Sequence, residues 1–174
     1  MFWIIYIPRA MKKFKIAVLA VFVFLFFNFP GLADNGNFYF VRTVLDGDTI
    51  ILANNKSVRY IGIDTPELRK KVNNKWVYDP KPYAVEAQML NKTLVQGKRI
   101  KLEFDKEISD KYGRWLAYVF VGDKMVNEEL LRSGYAVIYR KTINVKYLNR
   151  LKKAEQEAKD KKIGLFSVGA KHAR

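Results

Sequence analysis

The sequence predicts an α+β fold: a five-stranded OB-type β-barrel carrying three α-helices. Three observations lead there. Five short stretches rich in aromatic and β-branched residues lie between Phe38 and Val121. Three stretches of helical apolar spacing fall after the third and fifth of these, so strands and helices do not alternate as in a βαβ sheet. The 174 residues contain no repeat or low-complexity tract and suffice for one domain with a real core, placed at about 38–166 within residues 34–174. Small closed barrels of this type commonly bind nucleic acid or sugars on one face.

Each element has its own signal. Phe38 to Val44 is a strand, and Asp46-Gly47 is a hairpin turn into a second strand ending at Leu52. Asn54-Asn55 turns the chain into a third strand, Ser57 to Ile63. Alternation places Arg59, Ile61 and Ile63 on one face of it and Tyr60 on the other. The stretch from Leu68 to Pro82 reads as a loop. Tyr83, Ala87, Leu90 and Leu94 recur at helical spacing, and Gly97 ends that helix. Lys98 to Phe104 alternates like a half-buried strand, and Trp115 to Val121 is the fifth, closed by Gly122-Asp123. Asn127 reads as the cap of a short second helix, with Glu128 and Glu129 in its first turn and Gly134 after its end. Tyr147, Leu151, Ala154 and Ala158 define the third helix, which stops before Gly164.

Composition narrows the chemistry. There is no cysteine, which removes disulfides, thiolate zinc sites and Cys nucleophiles. The one histidine, His172, lies near the C-terminus, so Ser-His-Asp and two-histidine chemistry are disfavoured. A general base here would be a carboxylate. Lys and Arg number 32 against 17 Asp and Glu, a net charge of +15, which points to a polyanionic partner.

Residues 1–33 read as a signal peptide: Lys12-Lys13-Phe14-Lys15, an apolar stretch from Ile16 to Phe29, then Gly31-Leu32-Ala33. Export to the cell exterior or the periplasm is the expectation, with Met1 or Met11 as the start. An uncleaved membrane anchor is the alternative, although the apolar stretch is short for a span of roughly 20 residues. The basic character does not depend on this segment, because residues 34–174 keep a net +11.

Three clusters could carry chemistry: Asp46-Gly47-Asp48-Thr49, Arg59 to Glu67, and Asp110-Lys111-Tyr112-Gly113-Arg114. Singly, each reads as a turn or a solvated loop. Together they are more specific. An arginine on an apolar strand face is unusual without a partner, and two acids follow just past that strand's end. Pro66 biases Thr65 to extended geometry. Asp48, Asp64 and the Thr65 carbonyl are oxygen donors suited to a hard cation such as calcium or magnesium, not zinc.

With these motifs in view, residues from about Phe38 to Phe166 resemble the staphylococcal-type nuclease (thermonuclease) family. The resemblance rests on the three clusters, on Leu116-Ala117-Tyr118, and on Met125-Val126-Asn127-Glu128-Glu129-Leu130. It implies a calcium-dependent nuclease that hydrolyses DNA and RNA and leaves 3′-phosphate ends. It assigns Asp48, Asp64 and Thr65 to Ca2+, Glu67 to the general base, Arg59 and Arg114 to the phosphate, and Lys111 and Tyr112 to the bound nucleotide. Three features depart from the family pattern: Trp115 stands where a smaller side chain is usual, the family's tyrosines after the second helix find no clear match in Tyr135 or Tyr139, and the loop from Leu68 to Pro82 is individual. A non-catalytic OB-fold module for nucleic acid and a membrane-surface interaction protein are the competing readings.

Overall fold

The computed structural model describes residues 37–167. The stretch read as a signal peptide and His172 lie outside them. In chain order the elements are β1 (Phe38–Val44), β2 (Thr49–Leu52), β3 (Ser57–Tyr60), β4 (Ile63–Asp64), β5 (Arg69–Val72), β6 (Lys75–Tyr78), α1 (Ala84–Val95), β7 (Arg99–Glu103), β8 (Trp115–Val121), β9 (Lys124–Met125), α2 (Val126–Arg132), β10 (Val137–Ile138) and α3 (Leu148–Asp160), followed by a 3-10 turn, Gly164–Phe166.

Five of these strands close the expected barrel. β1 pairs antiparallel with β2 on one side and β7 on the other. β2 pairs with β3, and β7 with β8. The ring closes where β3 meets β8 in parallel, Arg59 opposite Leu116. Inward residues of alternating strand positions, Ile50, Leu52, Val58, Tyr60, Ile100, Leu102 and Val119, are fully buried. Leu130 and Leu131 of α2 and Leu151, Ala154 and Ala158 of α3 extend the same core.

Four sequence expectations change. The third strand does not run to Ile63. It stops at Tyr60, and Gly62 takes φ +77°, a conformation that L side chains rarely adopt. Ile63–Asp64 then pairs with β10. Ile61 and Ile63 are buried while Arg59 stays partly exposed, so the three do not share a face. Asn127 is not a cap: Met125 holds that position, and Asn127 lies fully buried inside α2. It accepts a hydrogen bond from Val119 N–H and donates to the Ile61 carbonyl, both at 2.9 Å. On α1 the buried stripe is Ala84, Ala87, Asn91 and Val95, with Leu90 and Leu94 at its margin. Asn91 accepts from the Tyr60 hydroxyl at 2.8 Å and donates to the Asp46 carbonyl at 3.1 Å, so a polar residue joins the helix to the barrel. Finally, the Leu68–Pro82 loop contains the β5–β6 hairpin.

Candidate active site

The end of the barrel where β1 turns into β2 carries Asp48. It is fully buried, and both carboxylate oxygens are engaged. Oδ1 accepts from Arg59 Nη1 and from the Thr49 hydroxyl at 3.1 Å, and Oδ2 accepts from Thr65 N–H at 2.9 Å. The second terminal nitrogen of Arg59 donates to Asp64 Oδ1 at 2.5 Å. One guanidinium therefore bridges the two aspartates that the sequence had paired, and Thr65 meets Asp48 through its backbone. Asp64 is half exposed.

Gly47 allows this convergence. A Cβ there would stand 2.7 Å from both Thr65 Oγ1 and Ala87 Cβ. Its φ lies outside the left-handed region, so space, rather than turn conformation, requires the glycine. The turn residue Asp46, set aside in the sequence as ordinary, accepts from Asp48 N–H at 3.3 Å and lines the site.

The Asp110–Arg114 loop supplies the opposite wall. Asp110 accepts from the backbone N–H groups of Tyr112 and Arg114, at 2.9 and 3.1 Å. Its other oxygen takes Nε and Nη2 of Arg114, each at 2.7 Å. One side chain thus fixes both the loop and the guanidinium. Tyr112 projects into solvent, 73% exposed, with the Lys111 ammonium 5.1 Å from its ring centroid.

Two adjoining cavities open here, of about 450 and 690 Å³. Arg59, Glu67 and Arg114 line both. Lys111, Tyr139 and Lys141 belong to the smaller cavity; Asp46, Lys71, Trp76 and Tyr112 belong to the larger. Glu67 stands at the rim. Partial burial, then the nearby Asp46 carboxylate, push its carboxyl above the ordinary value, which strengthens it as a base. Burial works against the Arg59 cation, but Asp48, Asp64 and Asp46 outweigh it and hold Arg59 charged. Burial likewise pushes the Asp48 carboxyl up, against the pull of Arg59. A cation would relieve that cost.

Among the described residues no three His, Cys, Asp or Glu side chains are grouped to hold an ion by themselves. The oxygen donors here are instead two carboxylates tied to one guanidinium, with the Thr65 backbone alongside. That set suits a hard cation whose shell is completed by water and substrate oxygen.

Sequence reasoning assigned no role to Asp110, Tyr139 or Trp76. Asp110 has the signal of an acid four residues before an arginine. Tyr139 lines the smaller cavity and its N–H donates to the Gly62 carbonyl at 3.0 Å, whereas Tyr135 stacks on Tyr83 with ring centroids 6.1 Å apart. Trp76 had no signal, because its hairpin was read as loop. Trp115 packs edge-on against Tyr39 and Phe104 and lines neither cavity.

The sequence is similar to several known proteins. The family model described as "Staphylococcal nuclease homologue" matches residues 57–168. The SPbeta prophage-derived endonuclease YokF of Bacillus subtilis is 47% identical over 128 residues, covering 71% of this chain and 42% of that protein. Endonuclease YncB of the same organism is 45% identical over 128 residues, 71% of this chain and 58% of that protein. The thermonuclease of Staphylococcus intermedius is 38% identical over 134 residues, 75% of this chain and 77% of that protein. The chain thus spans about half the length of the two Bacillus relatives.

Proposed function

Because the chain belongs to the staphylococcal nuclease family, we propose that it is a calcium-dependent phosphodiesterase acting on DNA and RNA. The observation that carries this reading is the position of Arg59, Glu67 and Arg114. These three residues are where the two cavities meet, so a strand threaded through both passes its phosphate between two guanidinium groups and a carboxylate.

The chemistry asks for little more. A phosphodiester anion repels an attacking hydroxide, so its charge must be offset and a water must lose a proton at the moment of attack. Arg59 and Arg114 offer planar forks to the phosphate oxygens, each already oriented by aspartate. Glu67, made more basic by its surroundings, takes the proton from the attacking water. The water oxygen bonds to phosphorus, the bond to the 5′ oxygen breaks, and that oxygen takes a proton from solvent. The 3′-phosphate outcome comes from the family resemblance. Asp48, Asp64 and the Thr65 carbonyl would hold the calcium, which when bound supplies further positive charge to the phosphate.

Release of acid-soluble nucleotides from single-stranded DNA and from RNA tests the reading. Activity is expected to vanish with chelator and return with calcium, and magnesium, with its small rigid octahedron, to substitute poorly. Glu67→Gln is expected to keep strand binding and lose turnover by about 10²–10⁴-fold. Full activity in excess chelator, or near-normal turnover in Glu67→Gln, overturns the assignment concerned. Strand binding without cleavage by the native protein would instead support the non-catalytic OB-fold module.

A further inference from the structure

The β5–β6 hairpin is built with care and buries nothing. All eight of its strand residues are exposed. Its turn is Asn73-Asn74, at φ +46° and +64°, the left-handed pair that suits a tight two-residue hairpin. Its base is clamped beside Glu67: Lys81 N–H donates to the Glu67 carbonyl and Asp79 N–H to the Leu68 carbonyl, both at 3.0 Å. A hairpin held this firmly while contributing no core has its use in what it presents.

The register says what that is. Arg69 faces Tyr78 and Lys71 faces Trp76, so these four side chains share one face. That face is turned to the larger cavity, which Arg69, Lys71 and Trp76 line opposite Tyr112. Trp76 is 68% exposed and Tyr112 73%. From Arg69 to Tyr78 there are four basic residues and no acid. Of these, Lys70, on the opposite face, is paired with Asp79 at 2.5 Å, whereas Arg69 and Lys71 have no ion-pair partner among the described residues. Unpaired cations interleaved with exposed aromatic rings are the composition that tracks a nucleic-acid strand, phosphate on the cation and base on the ring.

We propose that this face of the β5–β6 hairpin is a second substrate subsite, in which Trp76 stacks an unpaired base while Arg69 and Lys71 receive the flanking phosphates. The proposal rests on the nucleic-acid reading above and adds a second place at which the strand is held. A base inside a duplex has both faces covered by its neighbours, so this subsite favours single strands. The strand then occupies both cavities, with the phosphate to be cut at Arg59, Glu67 and Arg114.

The test compares Trp76→Ala and Trp76→Phe with the native protein on a single-stranded 12-mer and on a dinucleotide too short to occupy both cavities. Stacking on one ring corresponds to about 5–100-fold in affinity. The advantage in KM of the 12-mer over the dinucleotide should shrink by that factor in Trp76→Ala and recover in Trp76→Phe, with the preference for single over double strands shrinking in parallel. An unchanged 12-mer advantage, or equal losses on both substrates, overturns the subsite. Anisotropy of a labelled 12-mer in chelator separates this from the reaction. If the native protein cleaves nothing yet Trp76→Ala still weakens 12-mer binding 5–100-fold, the nuclease reading fails and the subsite stands; if binding is unmoved, the subsite fails.

Discussion

Arg59 and Arg114 are both guanidinium groups held by aspartate, but they are held differently. Arg59 is 16% exposed and spans two carboxylates, one of them fully buried. Arg114 is 31% exposed and leans on one carboxylate of its own loop. Lysine keeps the charge at either place and loses the fork. Arg59→Lys and Arg114→Lys should each lower turnover by roughly 10²-fold, the scale of losing one preorganised donor, while strand affinity changes little. They should separate in stability. A lysine at 59 cannot reach both aspartates and leaves buried Asp48 poorly compensated, so Arg59→Lys should cost about 1–3 kcal/mol. Arg114→Lys should cost under about 0.5 kcal/mol, because its pair is near the surface. Steady-state kinetics beside urea melts decide it; equal losses of stability would mean that Asp48 does not depend on the Arg59 fork.

Elements are held in place here by polar residues that apolar periodicity cannot register. Asn127 joins β8 to the chain end of β3 through Val119 and Ile61, immediately before Gly62 redirects the backbone towards Asp64 and Thr65. Asn127→Ala leaves a buried donor and a buried acceptor unmatched and should destabilise by about 2–4 kcal/mol in urea unfolding; a loss within error would make the residue an incidental occupant. Glu103 performs a similar service at the start of α3, accepting from Lys101 and Lys146 at 2.8 Å and from the Tyr147 hydroxyl at 2.7 Å. Partial burial opposes its charge, but those three bonds prevail and hold it at about 2 instead of 4.5. A carboxyl depressed on folding contributes stability above its unfolded value, and that contribution is lost as pH falls from about 4.5 to about 2. Glu103→Gln should therefore cost about 1–2 kcal/mol at pH 7 and nothing near pH 2; a pH-independent difference would mean that charge is not what Glu103 contributes. The five barrel strands were legible because each buries one face, and alternation is the imprint of that burial. The β5–β6 hairpin was not, since neither face is covered and its residues carry no such imprint. Asn127 was misread because an asparagine near a helix start is locally a cap, and tertiary hydrogen bonding overrode that local use. The site residues Asp48, Arg59, Asp64 and Glu67 were legible as a group because their chemistry is concentrated in two short motifs, whereas Tyr139 and Trp76 reach the cavities through folding alone.

At the scale of the whole molecule, the charges divide by purpose. Asp46, Asp48, Asp64 and Glu67 are gathered at or beneath the cavities, and Glu128, Glu129 and Glu157 are drawn to Arg132. Residues 37–167 hold 26 basic and 16 acidic side chains, so what remains among the described residues is a strongly positive exterior. Such a molecule meets a polyanion by displacing the counterions condensed on it, so salt is the lever that reads out the contact. Arg59 and Arg114 already face aspartate and should displace few ions. Arg69, Lys71, Lys111 and Lys141 line the cavities with no carboxylate partner among the described residues. Four phosphates at roughly 0.7 each give a slope near −3 for the logarithm of single-strand affinity against that of salt. Paired Arg69→Ala and Lys71→Ala changes should reduce its magnitude by about 1.4, and Trp76→Ala should weaken binding without altering the slope, because stacking displaces no ions. Filter binding in chelator between 50 and 400 mM salt, conditions spanning roughly a tenfold range or slightly less, measures all three. A slope near zero would leave the strand held by rings and hydrogen bonds alone, and the basic exterior would then serve some contact other than the one these cavities make.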